Sequence, residues 1–165
     1  MVWQDYTAPD HPPQHAADSI SQPTAAANVT PNTLRYAILE HTVAAQSHWD
    51  LLLEQAPDQL LATWKINLPP EQWLQACQTH GSIPVVRLPN HRRIYLDYSG
   101  PISNNRGEVR QVQTGLLRWL KSSEHYCAAL LSSGPNTPPL SCTLEDRGHG
   151  WTLHIESQNP GVYTP

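Results

Sequence analysis

The run HWDLLLE at residues 48–54, with His41 seven residues before His48, contains the residue types of a metal site. Its alternation of polar and apolar residues predicts a half-buried strand, in which successive side chains point to opposite faces. His48 and Asp50 then share one face about 7 Å apart along the strand. An imidazole and a carboxylate at this separation can close on one cation. Because Asp is depleted inside strands, metal ligation gives a reason for Asp50 to be there.

Composition and charge limit the classes of partner. The chain has 165 residues, which fits one domain, and a net charge of −4, which argues against a general binder of polyanions. Residues 85–110 nevertheless hold five Arg against Asp97 and Glu108. This local excess of positive charge fits one small anionic group better than a long nucleic-acid track, and a solvated basic face is the alternative interpretation.

Cysteine usage and hydropathy indicate a cellular location. The three cysteines form an odd number and no CxxC motif, so neither a disulfide framework nor a cysteine zinc site is indicated. We interpret them as buried thiols in a reducing compartment. There is no apolar run near the roughly 18 residues of a membrane helix and no secretory signal at the N-terminus. We therefore expect a cytoplasmic protein without a membrane partner.

The remaining pattern is mainly β. Residues 1–33 are rich in Pro, Ala, Ser, Gln and Thr and are predicted to be a disordered tail, and residues 157–165 are predicted to be a second tail at the C-terminal end. The predicted strands of the domain, residues 34–156, are 34–40, 48–54, 60–66, 84–88, 92–98, 108–113, 116–121, 125–131, 141–145 and 151–156. A short helix begins near Pro69 and ends before Gly81. Many short strands with one helix predict an antiparallel barrel or sandwich.

Two blocks of the sequence resemble a known family, the 3′-phosphoesterase domain of bacterial DNA ligase D. The first block is ILEH at 38–41, HWDLLLE at 48–54 and Trp64. The second is VRLPNHRRIYLDYSGPI at 86–102, which keeps the family's Arg before a His, a Tyr four residues after it, and the Asp and Gly that follow. The two blocks occur in the family's order, and the similarity covers about residues 34–120.

The resemblance implies a single compact antiparallel β-barrel that binds a divalent cation, typically manganese, with zinc as the other candidate. It implies removal of a 3′-phosphate or a 3′-terminal ribonucleotide from a nucleic-acid end. Carried over by position, His41, His48 and Asp50 are the metal ligands, and His91 and Tyr95 contact the scissile phosphate. Without a ligase or polymerase domain, a stand-alone version would need DNA-repair ligase or polymerase partners for end joining.

Elementary chemistry agrees with these roles. Two imidazoles and one carboxylate leave open positions on an ion, which can polarise a phosphoryl oxygen and activate a bound water. His91 can protonate the leaving oxygen or hold another oxygen. In an extended segment Arg87 and Tyr95 share a face with His91 and form an anion-binding stripe. Arg106, in a polar loop at 103–107, either covers the phosphate or is a solvated loop side chain.

The chain departs from the family at three points. In the family the second His follows the first by about six residues, whereas the interval here is seven. Leu52 stands where the family has a phosphate-binding Arg, and the family's Lys after the matched Trp64 is absent. Each lost charge-assisted contact is worth roughly 1.5–3 kcal/mol, and Arg92, Arg93 or Arg106 are candidate replacements.

Two other interpretations of the function therefore remain besides that of an enzyme. One is a non-catalytic module that binds a nucleic-acid end or a phosphate and keeps the fold without turnover, which Leu52 favours. The other is a small-ligand barrel whose histidines only line a pocket.

Overall fold

The structure is a computed structural model that describes residues 33–158. The predicted N-terminal tail lies outside the described residues except for Thr33, and most of the predicted C-terminal tail, residues 159–165, lies outside them too. Ser157 ends the last strand, and the backbone N–H of Gln158 donates to Pro139 O at 3.0 Å. The folded domain therefore extends slightly beyond the boundary predicted at residue 156.

The described residues form a closed antiparallel β-barrel, which confirms the predicted fold class. Eight strands hydrogen-bond in the order β1-β2-β3-β4-β9-β8-β7-β6, and β6 pairs with β1 to close the sheet. The two-residue strand β5 extends the edge of β6. The strands are β1 Leu34–Val43, β2 Gln46–Glu54, β3 Leu61–Ile66, β4 Ile83–His91, β5 Gly100–Pro101, β6 Glu108–Ser122, β7 Tyr126–Ser132, β8 Leu140–Asp146 and β9 Trp151–Ser157.

The main hydrophobic core fills the barrel interior. Alternation along the strands sends one set of apolar side chains inward, including Ile38, Leu51 and Trp64. The predicted helix is present as a 3₁₀ turn, Pro70–Gln72, followed by α1, Trp73–His80. Its buried residues Trp73 and Cys77 join this core, and Gly81 ends it with φ 83°. Such a positive φ suits glycine, as predicted for the helix end.

A second, smaller core lies on the outside of the barrel wall. Leu39 of β1 and Leu52 of β2 point outward, yet neither is exposed, because residues 92–107 fold over them. We call residues 92–107 the covering segment. Its side chains Tyr95 and Leu96 are buried against these leucines and Val109. The hairpin of β1 and β2 is thus packed on both faces.

The strand predicted at 92–98 is wrong. Residues Arg93–Leu96 form a 3₁₀ helix, with the Tyr95 N–H donating to Arg92 O at 3.1 Å. Tyr95 and Leu96 are both buried although they are neighbours in sequence, which an alternating strand does not allow on one packed face. The helix is held in place because Arg93 donates to the buried carboxylate of Glu54 at 2.6 Å.

The two strands predicted at 108–113 and 116–121 are one continuous strand, β6. Gly115 lies between them, but it is part of the ladder rather than of a turn. A Cβ at this position would lie 2.2 Å from Ser132 O and 2.8 Å from the Tyr36 ring. The glycine is therefore needed because the neighbouring strands approach closely at this position, as glycine in a strand interior often indicates.

The cysteines are free and buried, as predicted. Burial raises the pKa of the Cys142 thiol to about 12, so this residue is an unreactive core side chain. Across residues 33–158, none of the helices has the length and apolar character needed to cross a membrane.

Candidate metal centre

A tight hairpin brings the two predicted histidine ligands together. His41 and His48 are direct cross-strand partners, and Asp50 lies two residues further along the same face of β2. The turn between the strands is only Ala44 and Ala45, with φ values of 47° and 65°. Positive φ at both positions is the requirement of a type I′ turn, which matches the twist of a hairpin. The longer interval between the histidines is therefore accommodated without displacing the first ligand.

The three side chains form a compact group, which we call the His-His-Asp group. One ligand atom from each of His41, His48 and Asp50 lies within 4.8 Å of the others. His48 Nε2 is 3.5 Å from Asp50 Oδ1, and His41 Nδ1 is 3.7 Å from Asp50 Oδ2. These separations are longer than hydrogen bonds and leave space for an atom between the ligands. Within residues 33–158 this is the only such cluster of His, Cys, Asp and Glu.

Burial makes the Asp50 carboxylate a strong candidate for a cation ligand. Asp50 is 2% exposed, and its Oδ1 has no hydrogen-bond partner among the described residues. A buried, unpaired carboxylate oxygen costs free energy unless a charge or donor compensates it. The carboxylate raises the pKa of His41, whereas burial lowers the pKa of His48. A divalent ion at the group would satisfy Oδ1, and the donor set of two nitrogens and one oxygen fits manganese or zinc.

The covering segment orients the first ligand. His41 Nε2 lies 2.8 Å from Arg106 O, so this nitrogen donates its N–H and leaves the Nδ1 lone pair facing Asp50. Metal-ligating histidines usually donate their other ring N–H in this way. The neighbouring Gly107 has φ 87°, and a Cβ there would lie 2.0 Å from Thr42 O. Only glycine therefore lets the segment approach β1 closely enough to make this hydrogen bond.

A small pocket of about 40 Å³, partly open to solvent, is lined by two members of the His-His-Asp group, His41 and Asp50. The residues predicted to hold phosphate, His91, Tyr95 and Arg106, line the same pocket. The remaining wall is apolar and consists of Leu39, Leu88, Ile102 and Val109. Four separate parts of the chain thus contribute to one concave site, which is the usual form of a small-ligand site.

His91 and Tyr95 are close together, although the 3₁₀ helix replaces the extended segment assumed in the sequence argument. Their ring centroids are 5.7 Å apart in an edge-to-face arrangement. His91 Nδ1 donates to Pro89 O at 2.9 Å, which leaves Nε2 as the ring atom available to a ligand. The predicted proximity is therefore present, but the helix and not strand alternation produces it.

Arg87 occupies a different place from the predicted anion-binding stripe. Its guanidinium carbon lies 4.5 Å from the centroid of the Trp64 ring, and it donates to Thr63 O at 2.9 Å and Asn90 Oδ1 at 2.5 Å. Arg87 is not among the residues that line the pocket. Its donors are used within the β3–β4 wall, where the guanidinium stacks on Trp64 and donates to Thr63 O and Asn90 Oδ1.

The other arginines of residues 85–110 differ in the partners of their guanidinium groups. Arg106 lines the pocket and donates to Ser103 O at 3.0 Å and Ser103 Oγ at 3.1 Å, and it forms no salt bridge with a carboxylate of residues 33–158. Arg93 is bound to Glu54. Arg92 lies near Tyr95, with its guanidinium carbon 6.0 Å from the ring centroid, and its Nε is buried without a hydrogen-bond partner among the described residues.

One cation beside the site is not evident from the strand pattern of the sequence. Lys65 of β3 is the direct cross-strand partner of Asp50, so both side chains lie on the outer face of the wall. The charge of Lys65 lowers the pKa of both His41 and His48, although burial is the larger cause for His48 and Asp50 outweighs it for His41. The hairpin register that reveals this neighbour depends on the length of the turn after β2, which the sequence pattern alone does not specify.

Comparison with known proteins does not identify a family. No family model matches this chain, and no curated protein matches it significantly in sequence.

Proposed function

We propose that this chain is a cytoplasmic, manganese-dependent phosphoesterase that removes a terminal 3′-phosphate or a 3′-ribonucleotide from a nucleic-acid end. The observation that carries the proposal is one pocket lined by His41 and Asp50 of the His-His-Asp group together with His91, Tyr95 and Arg106. Ligand atoms for a cation and donors for an anion in the same pocket suit a substrate that contacts both. The resemblance to the DNA ligase D phosphoesterase domain supports the same chemistry.

The residues have distinct roles under this proposal. His41 Nδ1, His48 and Asp50 hold the ion, which when bound polarises a phosphoryl oxygen and lowers the pKa of a coordinated water. His91 presents Nε2 to the substrate and, when protonated, donates its proton to the leaving 3′ oxygen. The apolar wall of the pocket limits access of bulk water, which strengthens these electrostatic contacts.

Charged and hydroxyl donors complete the anion site. The Tyr95 hydroxyl and the Arg106 guanidinium bind non-bridging oxygens of the phosphate. The partner is then a nucleic-acid 3′ end or a small phosphoester, and a DNA-repair ligase or polymerase acts on the end that is left.

One observation favours a second candidate, a non-catalytic module that binds a phosphorylated end. Leu52, at the position of the family's phosphate-binding Arg, has no exposed surface and belongs to the outer core under the covering segment. An Arg at this position would have to displace Tyr95 or Leu96. Phosphate must therefore be held by other side chains, and a weaker hold would leave binding without turnover.

Two measurements on the whole chain test the proposal. Manganese binding is followed by the loss of the free-ion electron paramagnetic resonance signal, and phosphate release is followed with a 3′-phosphorylated primer annealed to a template. We expect one manganese ion per chain and manganese-dependent release of phosphate. His48→Ala removes a ligand and should abolish both signals, whereas His125→Ala changes a histidine side chain that is 67% exposed and should alter neither.

The results of these two measurements distinguish the three interpretations of the function. Manganese binding without phosphate release would favour the non-catalytic module. Failure of the wild-type chain to bind manganese would refute the enzyme proposal and leave the small-ligand barrel. Equal activity of His48→Ala and the wild-type chain would also refute it, because the His-His-Asp group would then have no part in the reaction.

A further inference from the structure

The surroundings of Asp50 on the outer wall are mostly apolar. Leu39 lies across from it on β1, and Leu52 lies two residues along β2; both are fully or almost fully buried. His48, two residues in the other direction, belongs to the His-His-Asp group. Lys65 is the residue directly across from Asp50 on β3 and brings a positive charge to this wall.

Lys65 is not engaged by the protein itself. Among residues 33–158, no carboxylate oxygen lies within 4.0 Å of its ammonium, and no hydrogen bond of its side chain is formed. Several arginines differ in this respect, since Arg35, Arg93 and Arg110 each pair with a carboxylate. A lysine beside a cation site weakens metal binding by like-charge repulsion. Its position is more easily explained if an anion sits between it and the ion.

We propose that Lys65 binds a terminal oxygen of the phosphoryl group at the His-His-Asp group and directs the site toward phosphomonoesters. This inference rests on the proposed function and names its substrate class. A phosphomonoester has three terminal oxygens and carries about two negative charges at pH 7, since its second pKa is about 6. Lys65 lies on the β3 side of Asp50 and is not among the residues that line the pocket with Arg106, so the third terminal oxygen of a monoester would give it a partner outside that lining. A phosphodiester has only two such oxygens and one charge, so it leaves one donor without a partner.

The experiment uses the whole chain loaded with manganese. Isothermal titration calorimetry measures the affinity for inorganic phosphate and for dimethyl phosphate, a diester probe, and the affinity of the metal-free chain for manganese. The variants are Lys65→Met, which keeps the stem, and Lys65→Arg, which keeps the charge. Lys121→Met is the matched control, because Lys121 is the only other lysine and its ammonium lies near Tyr126, 5.0 Å from the ring centroid.

We expect opposite effects on the two ligands. Lys65→Met should weaken phosphate binding about tenfold to a hundredfold, the value of one charge-assisted hydrogen bond. It should bind manganese as tightly as the wild-type chain or more tightly, because a repelling charge is gone. The wild-type preference for phosphate over dimethyl phosphate should shrink, Lys65→Arg should retain most of it, and Lys121→Met should stay within about twofold of the wild-type values, as a distant surface charge is screened.

The inference and the proposed function fail in different ways. If wild-type protein binds manganese and phosphate and Lys65→Met binds phosphate equally well, the inference is wrong and the metal site stands. An equal loss in Lys121→Met would also overturn the inference, because the effect would be one of net charge. If the wild-type chain binds no manganese, both the inference about Lys65 and the proposed function are wrong.

Discussion

Asp50 offers the most direct test of the metal centre, because its substitution should have opposite effects with and without the ion. The change is Asp50→Asn, which keeps the shape and removes the charge. In the metal-free chain the buried Oδ1 has no hydrogen-bond partner among the described residues, so losing the charge removes a desolvation cost. Metal-free Asp50→Asn should therefore unfold at the same temperature as metal-free wild-type protein, or at a higher one.

The effect of manganese on the wild-type chain can be estimated. An ion that binds only the folded state at 100 times its dissociation constant stabilises that state by about 2.7 kcal/mol. The described domain spans residues 33–158, and unfolding entropy is about 2.1 cal/mol/K per residue, or about 0.26 kcal/mol/K in all. The ratio of these two values predicts a rise of about 10 °C in the unfolding temperature.

The assay is thermal unfolding followed by circular dichroism, with manganese in excess or with chelator. We expect the shift of about 10 °C in wild-type protein and a shift of less than about 2 °C in Asp50→Asn. Asp58→Asn is the matched control, because Asp58 is exposed and lies in the turn after β2 with φ 62°, a conformation that Asn also tolerates. This control should keep the full manganese shift.

Two results would refute the reasoning. A manganese shift in Asp50→Asn as large as that of the wild-type chain would mean that the ion binds elsewhere. A marked loss of stability in metal-free Asp50→Asn would mean that the carboxylate is already compensated in the absence of the ion.

Three further substitutions test the elements that position the site. Gly107→Ala should lower the free energy of unfolding in urea by at least about 2 kcal/mol more than Gly148→Ala and should weaken manganese binding. Both glycines have φ 87°, but only Gly107 has backbone atoms within 4 Å of the added Cβ. Equal losses of stability would contradict the role of close approach. Glu54→Gln should lower the free energy of unfolding by about 2 kcal/mol, because Glu54 is buried and joins the covering segment to the barrel through Arg93. Glu145→Gln, at an exposed ion pair, should lower it by less than about 0.5 kcal/mol. A loss in Glu54→Gln as small as that in Glu145→Gln would show that Glu54 does not anchor the segment. Ala45→Gly should raise the free energy of unfolding by about 0.5–1 kcal/mol, because a φ of 65° strains alanine but not glycine. Its manganese affinity should be unchanged. A lower free energy of unfolding in this variant would contradict the turn geometry.

Strand alternation predicted the part of the site that lies on one strand. The pattern at 48–54 places His48 and Asp50 on one face of β2, and both are found there. The position of His41 was harder to infer from pattern, because its turn is Ala44-Ala45 rather than the Gly and Asn residues typical of such turns. Its assignment as a metal ligand was implied by the resemblance, and the observed register places His41 directly across from His48 despite the longer interval.

The covering segment could not be predicted from periodicity. The polar and apolar residues of 92–98 alternate as in a strand, yet residues 93–96 are helical because Glu54, distant in sequence, holds Arg93 and the outer core buries Tyr95 and Leu96. Tertiary contacts of this kind override local preference in short segments. The same is true of Lys65, whose nearness to Asp50 follows from a cross-strand register.

The hairpin of β1 and β2 separates two tasks that many small domains combine on one surface. Its inward residues stabilise the barrel, while its outward residues carry the His-His-Asp group beside the covering segment. Substitutions in the barrel lumen can therefore accumulate without moving this group, as long as the strand register is kept. Changes at the exposed residues of the covering segment can alter the cleft at little cost to folding, whereas changes at Tyr95, Leu96 or Gly107 alter the cleft and the stability of the domain together.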